Sequence, residues 1–187
     1  MSAEDHQLIA ECLQGDPTAF GVLVRRYQDR LYNTVYRMVG SAEDAQDVVQ
    51  EAFLNAYQSL DGFKGDSLFF TWLYRIAVNT AISYKRKRRI ALSLDAGRNG
   101  EQGIELPDPS EMNRPGHALE QAEQERRIQT ALNRLSAEHR TVLIMKDMEG
   151  QKYEAMAEIL QVPIGTIRSR LHRARLELRD ILEKDEA

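Results

Sequence analysis

The sequence predicts an all-α protein, two small helical domains joined by a flexible linker, the C-terminal one built around a helix-turn-helix. Three observations lead there. Apolar residues recur at spacings of three and four through both ends of the chain, and no run of alternating residues marks a strand. Between Ile90 and His117 that pattern stops, and three of the five prolines (Pro107, Pro109, Pro115) and four of the 11 glycines (Gly97, Gly100, Gly103, Gly116) collect there. A structureless stretch of that length is uncommon inside a compact domain, so it separates 1–89 from 118–187, with 90–117 as linker. Tyr153 to Arg175 then follows helix-turn-helix grammar: a short helix, a tight turn and a longer helix.

The elements follow in order. Asp16 supplies a side-chain acceptor for free backbone amides and Pro17 loses no needed hydrogen bond at the first helical position. The helix they open is expected from about Thr18 to Met38, ending at Gly40. A second begins near Ala42, where Ala45, Val48, Val49, Ala52, Phe53, Ala56 and Leu60 form one apolar stripe before Asp61-Gly62. After the loop from Phe63 to Ser67, a third carries Trp72, Leu73, Ile76, Ala77 and Thr80 up to the basic run Lys85-Arg86-Lys87-Arg88-Arg89. In the C-terminal part, segments are expected at about 118–134, 137–148, 152–160 and 165–183.

Composition bounds the function. A hydrophobic fraction of 42% against 29% charged suffices for a packed core. No apolar run reaches the roughly 18 residues needed to cross a bilayer, and the first 16 residues have neither a basic start nor an apolar signal core, so a cytoplasmic protein without membrane insertion is expected. The single cysteine, Cys12, has no disulfide or zinc partner and is expected as a small buried side chain. The net charge of −4 hides a segregation: basic residues gather at 85–89 and at Arg168, Arg170, Arg173, Arg175 and Arg179, acids between Glu43 and Glu51. Such a pattern suits DNA on some faces and a protein on another.

Three constellations carry this further. At 100° per residue, Ile167, Leu171, Ala174, Leu178 and Ile181 share one side of the last helix, so Ser169 and His172 point away with Arg168 and Arg173 on their shoulders. A helix so equipped can enter the major groove. Leu176 falls on the polar side without explanation. Aromatics between Phe63 and Tyr74 followed by the basic run suit single-stranded DNA, where bases stack on rings, although aromatics at helical spacing also suit a core: Trp72 is expected mainly there, and Phe63 and Phe69 fit either place. Asp44, Asp47 and Glu51, with Gln50 beside them, line one helix face as a protein-docking stripe. No His joins them to make a metal site, and no nucleophile, phosphate loop or His-Glu metal spacing accompanies His6, His117, His139 and His172. The reading is therefore no enzyme, no cofactor, no metal and no small-molecule substrate; the alternatives are a helix-turn-helix repressor, expected to dimerise on a palindrome, and a nucleic-acid-processing enzyme.

Asp44-Ala-Gln-Asp-Val-Val-Gln-Glu-Ala-Phe53, Phe63-Lys-Gly-Asp-Ser67, Thr71-Trp-Leu-Tyr-Arg-Ile-Ala-Val-Asn-Thr80 and Pro163-Ile-Gly-Thr-Ile-Arg-Ser-Arg-Leu-His-Arg-Ala-Arg175 resemble, in order, hallmark stretches of the extracytoplasmic-function group of bacterial sigma factors. The resemblance implies a first domain that melts the promoter minus-ten element and a second that reads the minus-thirty-five element. Asp44, Asp47, Gln50 and Glu51 are then the contacts to the clamp of RNA polymerase. Phe63, Lys64, Phe69, Phe70 and Asn79, with Lys85, Arg86 and Arg88, become minus-ten contacts; Thr166, Arg168, Ser169, His172 and Arg173 become minus-thirty-five contacts. It also implies core polymerase, promoter DNA and an anti-sigma factor as partners, and a stress or envelope-response regulon. Two positions depart from the family pattern: Ser83, where an aspartate is frequent, and Gln161, where the helix-turn-helix often has glycine.

Overall fold

The computed structural model describes residues 3–95 and 117–186, and among these every regular element is helical. The expected mobility of the linker concerns residues that lie mostly outside this range. The N-terminal half holds α1 (Ala3–Leu13), α2 (Pro17–Val39), α3 (Ala42–Gln58) and α4 (Phe69–Asp95). The C-terminal half holds α5 (His117–Arg134), α6 (Ala137–Leu143), α7 (Tyr153–Leu160) and α8 (Ile164–Glu186).

The capping chemistry places the helix ends. Asp16 accepts from the backbone amide of Thr18 at 2.8 Å, with Pro17 as the first helical residue. Gly40 closes α2 in the left-handed region (φ 86°), where its amide reaches the Tyr36 carbonyl. Ser41 and Ser136 cap α3 and α6 in the same way as Asp16.

Two boundaries differ from expectation. α1 precedes the first expected helix; it buries Asp5, Ile9 and Cys12, at helical spacing, against α2, and Arg26 and Tyr27 there bond Asp5 at 2.6 and 2.7 Å. Cys12 is buried as expected. α4 runs through the basic run to Asp95, so 90–95, expected in the linker, are helical. Lys and Arg are good helix formers and nothing breaks the helix before Gly97.

The expected stripe of α3 is buried throughout, from Ala45 to Ala56, with Leu60 in a short 3₁₀ turn behind it. Leu23, Leu31, Val35, Leu73, Ala77 and Phe53 fill the space between α2, α3 and α4. In the C-terminal half, α6 passes into a single π-helical turn (Ile144–Met148), α8 packs on α6 and α7 on α8, and Met156, Ile159, Ile167, Leu171 and Ala174 are buried. Each large buried aliphatic side chain is worth roughly 1.5–3 kcal/mol, so both halves have a core of their own. The halves also pack on each other, and their buried residues form one continuous apolar cluster.

Candidate nucleic-acid interface

The helix-turn-helix comprises α7, a turn at Gln161–Pro163 and α8. Gln161 sits in the left-handed region (φ 55°, ψ 41°), so the turn keeps the geometry glycine would favour. Its amide bonds the Ala157 carbonyl, and its side chain donates to the Glu158 carbonyl at 2.9 Å, which holds the side chain of a strained residue against the helix end.

On α8, Ile167, Leu171 and Ala174 are buried while Arg168, Ser169, His172 and Arg173 are exposed, the division expected from spacing alone. Thr166 is half-buried and its carbonyl accepts from the Ser169 hydroxyl at 3.0 Å. The arginines separate by what holds them. Arg170 pairs with Glu138 at 2.9 Å and Arg175 grips Asp147 through two bonds of 2.5 and 3.0 Å. Arg168 lies over the Tyr153 ring, 5.5 Å from its centre, and among the described residues neither it nor Arg173 meets an acid. Two cations therefore stay available beside Ser169 and His172. Leu176 is exposed on the same side, and nothing in the structure explains it.

The aromatic loop requires correction. Phe69 and Phe70, expected to face single-stranded DNA, are buried: Phe69 is fully enclosed, and Phe70 lies under the Arg30 guanidinium at 3.9 Å and beside Tyr74. Both lie in the first turn of α4 facing α2, where helix geometry carries them into the core. Phe63 is half-buried, edge-on to Phe69, and Trp72 packs against both rings, so Trp72 joins the rim of the core as expected. Lys64, Leu68 and Asn79 are exposed, as are Asp61, Asp66 and Ser67 in the same loop; Leu68 carries no signal in the sequence because it is one aliphatic residue among aromatics.

In the basic run, Arg86 is exposed, whereas Lys85 is half-buried and Arg88 bonds Asp44. Asp44 also accepts from the Tyr84 hydroxyl at 2.6 Å, and this bond, with burial, pushes the tyrosine up to about 12. Asp44 is thus buried and committed to α4, not part of an exposed acidic stripe. Asp47, Gln50 and Glu51 are exposed. Gln50 also lines an apolar groove between α2 and α3, whose walls include Phe20, Val24 and Val49 with the exposed Leu54 and Tyr57. Apolar residues off the core stripe of α3 are the signal that could have found this groove.

Residues 23–90 match the family model for Sigma-70 region 2, and residues 125–178 that for Sigma-70, region 4. The chain is 37% identical over 182 residues to the RNA polymerase sigma-H factor of Pseudomonas aeruginosa, covering 92% of this chain and 90% of that one. It is 40% identical over 176 residues to the ECF RNA polymerase sigma-E factor of Escherichia coli K12, covering 91% and 90%. Among solved structures it resembles CnrH in complex with the cytosolic domain of CnrY, with a TM-score of 0.65, 26% identity, and 97% and 99% of the two chains covered. The sigma factor RpoE in complex with the anti-sigma factor NepR from Bartonella quintana gives a TM-score of 0.67 at 27% identity over 88% and 96%.

Proposed function

This chain belongs to the extracytoplasmic-function group of sigma factors, and from that premise we propose how its two halves divide the work of promoter-specific initiation. It binds core RNA polymerase and directs it to promoters, in keeping with relatives named sigma-H and sigma-E, and it serves a stress or envelope-response regulon in the cytoplasm. Chemistry belongs to the polymerase, so the chain acts by recognition alone.

The observation that carries the reading is α8, an exposed face of Arg168, Ser169, His172 and Arg173 opposite a buried apolar face, within the part that matches region 4. We assign that face, with Thr166, to the minus-thirty-five element in the major groove. In the region 2 half, Phe63, Lys64, Leu68 and Asn79 surround the minus-ten strand, with Lys85 and Arg86 on its phosphates; Phe69 and Phe70 shape the loop from below. Asp47, Gln50 and Glu51, extended by the groove at Leu54 and Tyr57, dock on the polymerase clamp. Asp44 and Arg88 join α3 to α4, so the clamp-docking helix and the helix bearing the basic run move as one body. An anti-sigma factor is a further partner, as in the complex with NepR.

Reconstitution with core polymerase tests this. The chain is expected to form a stable holoenzyme and to initiate from a subset of genomic fragments that core polymerase alone leaves silent; no initiation above core alone rejects the assignment. Asp47→Lys should weaken holoenzyme formation without changing helical content, and equal assembly by that variant rejects the docking stripe.

A further inference from the structure

α1 lies wholly before the segment that matches Sigma-70 region 2, which begins at residue 23. A buried carboxylate nevertheless fixes it to α2. Taking a charge out of water is costly unless it is paired, and Asp5, 3% exposed, divides its two oxygens between neighbouring residues of α2. Arg26 donates to one at 2.6 Å and the Tyr27 hydroxyl to the other at 2.7 Å. Arg26 also donates to Glu4 at 2.8 Å and stays partly open to water, whereas Tyr27 is half-buried. Burial pushes the Tyr27 phenol up and the Asp5 carboxylate adds to this, so the phenol keeps the proton it donates. The bond thereby ties down the far end of a ring whose near end is fixed by α2.

That ring backs the aromatic cluster under the minus-ten loop. Its centre lies 5.8 Å from that of Phe69 and 5.5 Å from that of Phe70. Phe69 meets Phe63 edge-on at 5.8 Å, and Trp72 lies 5.1 Å from Phe63. Phe63 opens the loop that carries the exposed Lys64 and Leu68. Just before Phe63, α1 touches the 3₁₀ turn Leu60–Gly62. One short helix therefore reaches the loop twice, directly at the turn before it and through Tyr27 at the rings beneath it. Close-packed interiors leave no slack, so a shift of the Tyr27 ring is passed on.

We propose that α1 is a positioning element for the minus-ten loop, with Asp5 as its positioning residue: the carboxylate holds the Tyr27 ring, the ring seats Phe69, Phe70 and Phe63, and these set Lys64 and Leu68 against the unpaired strand. The inference rests on the assignment of that loop to the minus-ten element. Asp5 is enclosed, so it acts only through Tyr27. A loop displaced by about 1 Å loses discrimination between bases, while the clamp face of α3 and the exposed face of α8 keep theirs.

Holoenzyme assembled with the full chain is tested on a promoter with its preferred minus-ten element and on the same promoter with that element scrambled. Tyr27→Phe keeps the ring and removes the bond, and should lower the ratio of initiation between the two at least about threefold; Asp5→Leu with Tyr27→Phe should lower it about tenfold. The double variant replaces both polar partners by apolar groups, which is nearly neutral for stability, so thermal unfolding, holoenzyme assembly and minus-thirty-five preference should stay those of the parent. A double variant that keeps the parent's ratio overturns the proposal. A fall in assembly or in minus-thirty-five preference alongside the ratio would assign α1 to the fold as a whole and overturn it too. Lys64→Ala with Leu68→Ala separates the two readings: a parent-like ratio there rejects the minus-ten assignment of the loop and the proposal with it. A ratio lost in that variant but kept in Asp5→Leu with Tyr27→Phe removes the positioning role alone.

Discussion

At α8 the residues that spacing made equivalent are separated by their partners. Arg173 has no acid within reach among the described residues, so a base contact is the use left to it, and Arg173→Ala should change base preference at one upstream position by about 1–3 kcal/mol with melting temperature unchanged. Arg175 is held by Asp147 on a partly exposed surface, so Arg175→Ala should cost no more than about 1 kcal/mol of stability and leave base preference alone. Transcription from a library randomised upstream, beside thermal unfolding, checks both; shared behaviour of the two variants would reject the division. The sequence could place all these side chains outward because helix geometry is local. It could not show Glu138 or Asp147, which arrive through folding. Asp44 failed for the same reason, since Tyr84 and Arg88 lie 40 and 44 residues on. Removing a buried acceptor of two bonds is costly, so Asp44→Ala should lower stability by about 1–3 kcal/mol in thermal denaturation, whereas exposed Asp47→Lys should leave it unchanged.

Elements show where local rules suffice and where they stop. α2 begins and ends, and α3 begins, as the capping residues require, because Asp16, Gly40 and Ser41 act on neighbouring backbone; α3 stops at Gln58, short of Asp61-Gly62, and a 3₁₀ turn carries Leu60 into the core instead. α4 outruns its expected end because a cluster of cations is no terminus: long basic side chains keep their freedom in a helix, and the sequence has no Gly or Pro between Phe69 and Gly97. Its first turn lies beyond local rules as well: aromatic character is the same for a base platform and a core, and only the position of α2 decides that Phe69 and Phe70 face inward. The turn between α7 and α8 is marked in the sequence by Gln161, which stands where glycine suits, and the backbone there is left-handed. Gln161→Gly relieves a strain of about 1–2 kcal/mol but loses one side-chain bond and gains unfolded-state freedom, so its net effect should fall within about 1 kcal/mol of the parent. Gln161→Val puts a β-branched side chain into the same conformation and should be destabilising by more than about 1 kcal/mol. Chemical denaturation of both variants separates them; equal stabilities would mean that the turn had moved out of the left-handed region.

The whole molecule has a balance that neither half has alone. Proline and glycine between Ile90 and His117 revealed that the chain divides, but the contacts that bring the halves together join Met38 to Arg140 and Thr34 to Glu149, more than 100 residues apart in sequence, and no periodicity encodes them. In the folded chain Lys85 lies near Arg140 and Arg88, and Asp44 favours its charge. Burial is the largest influence and lowers the lysine from its usual 10.5 to about 7, so the folded chain binds fewer protons than the unfolded chain between those values. Linkage then fixes the sign: this burial costs nothing above about pH 10.5, costs more as pH falls, and carries its full penalty below about pH 7. Within that window the unfolding equilibrium constant should rise by at most about tenfold for each unit of falling pH through this group, since one lysine can take up no more than one proton. Stability in chemical denaturation, recorded from pH 7 to 9.5, should therefore increase with pH in the parent relative to Lys85→Met, which keeps the aliphatic stem and removes the charge. Equal slopes in parent and variant would assign the pH dependence to another group and remove Lys85 from the balance.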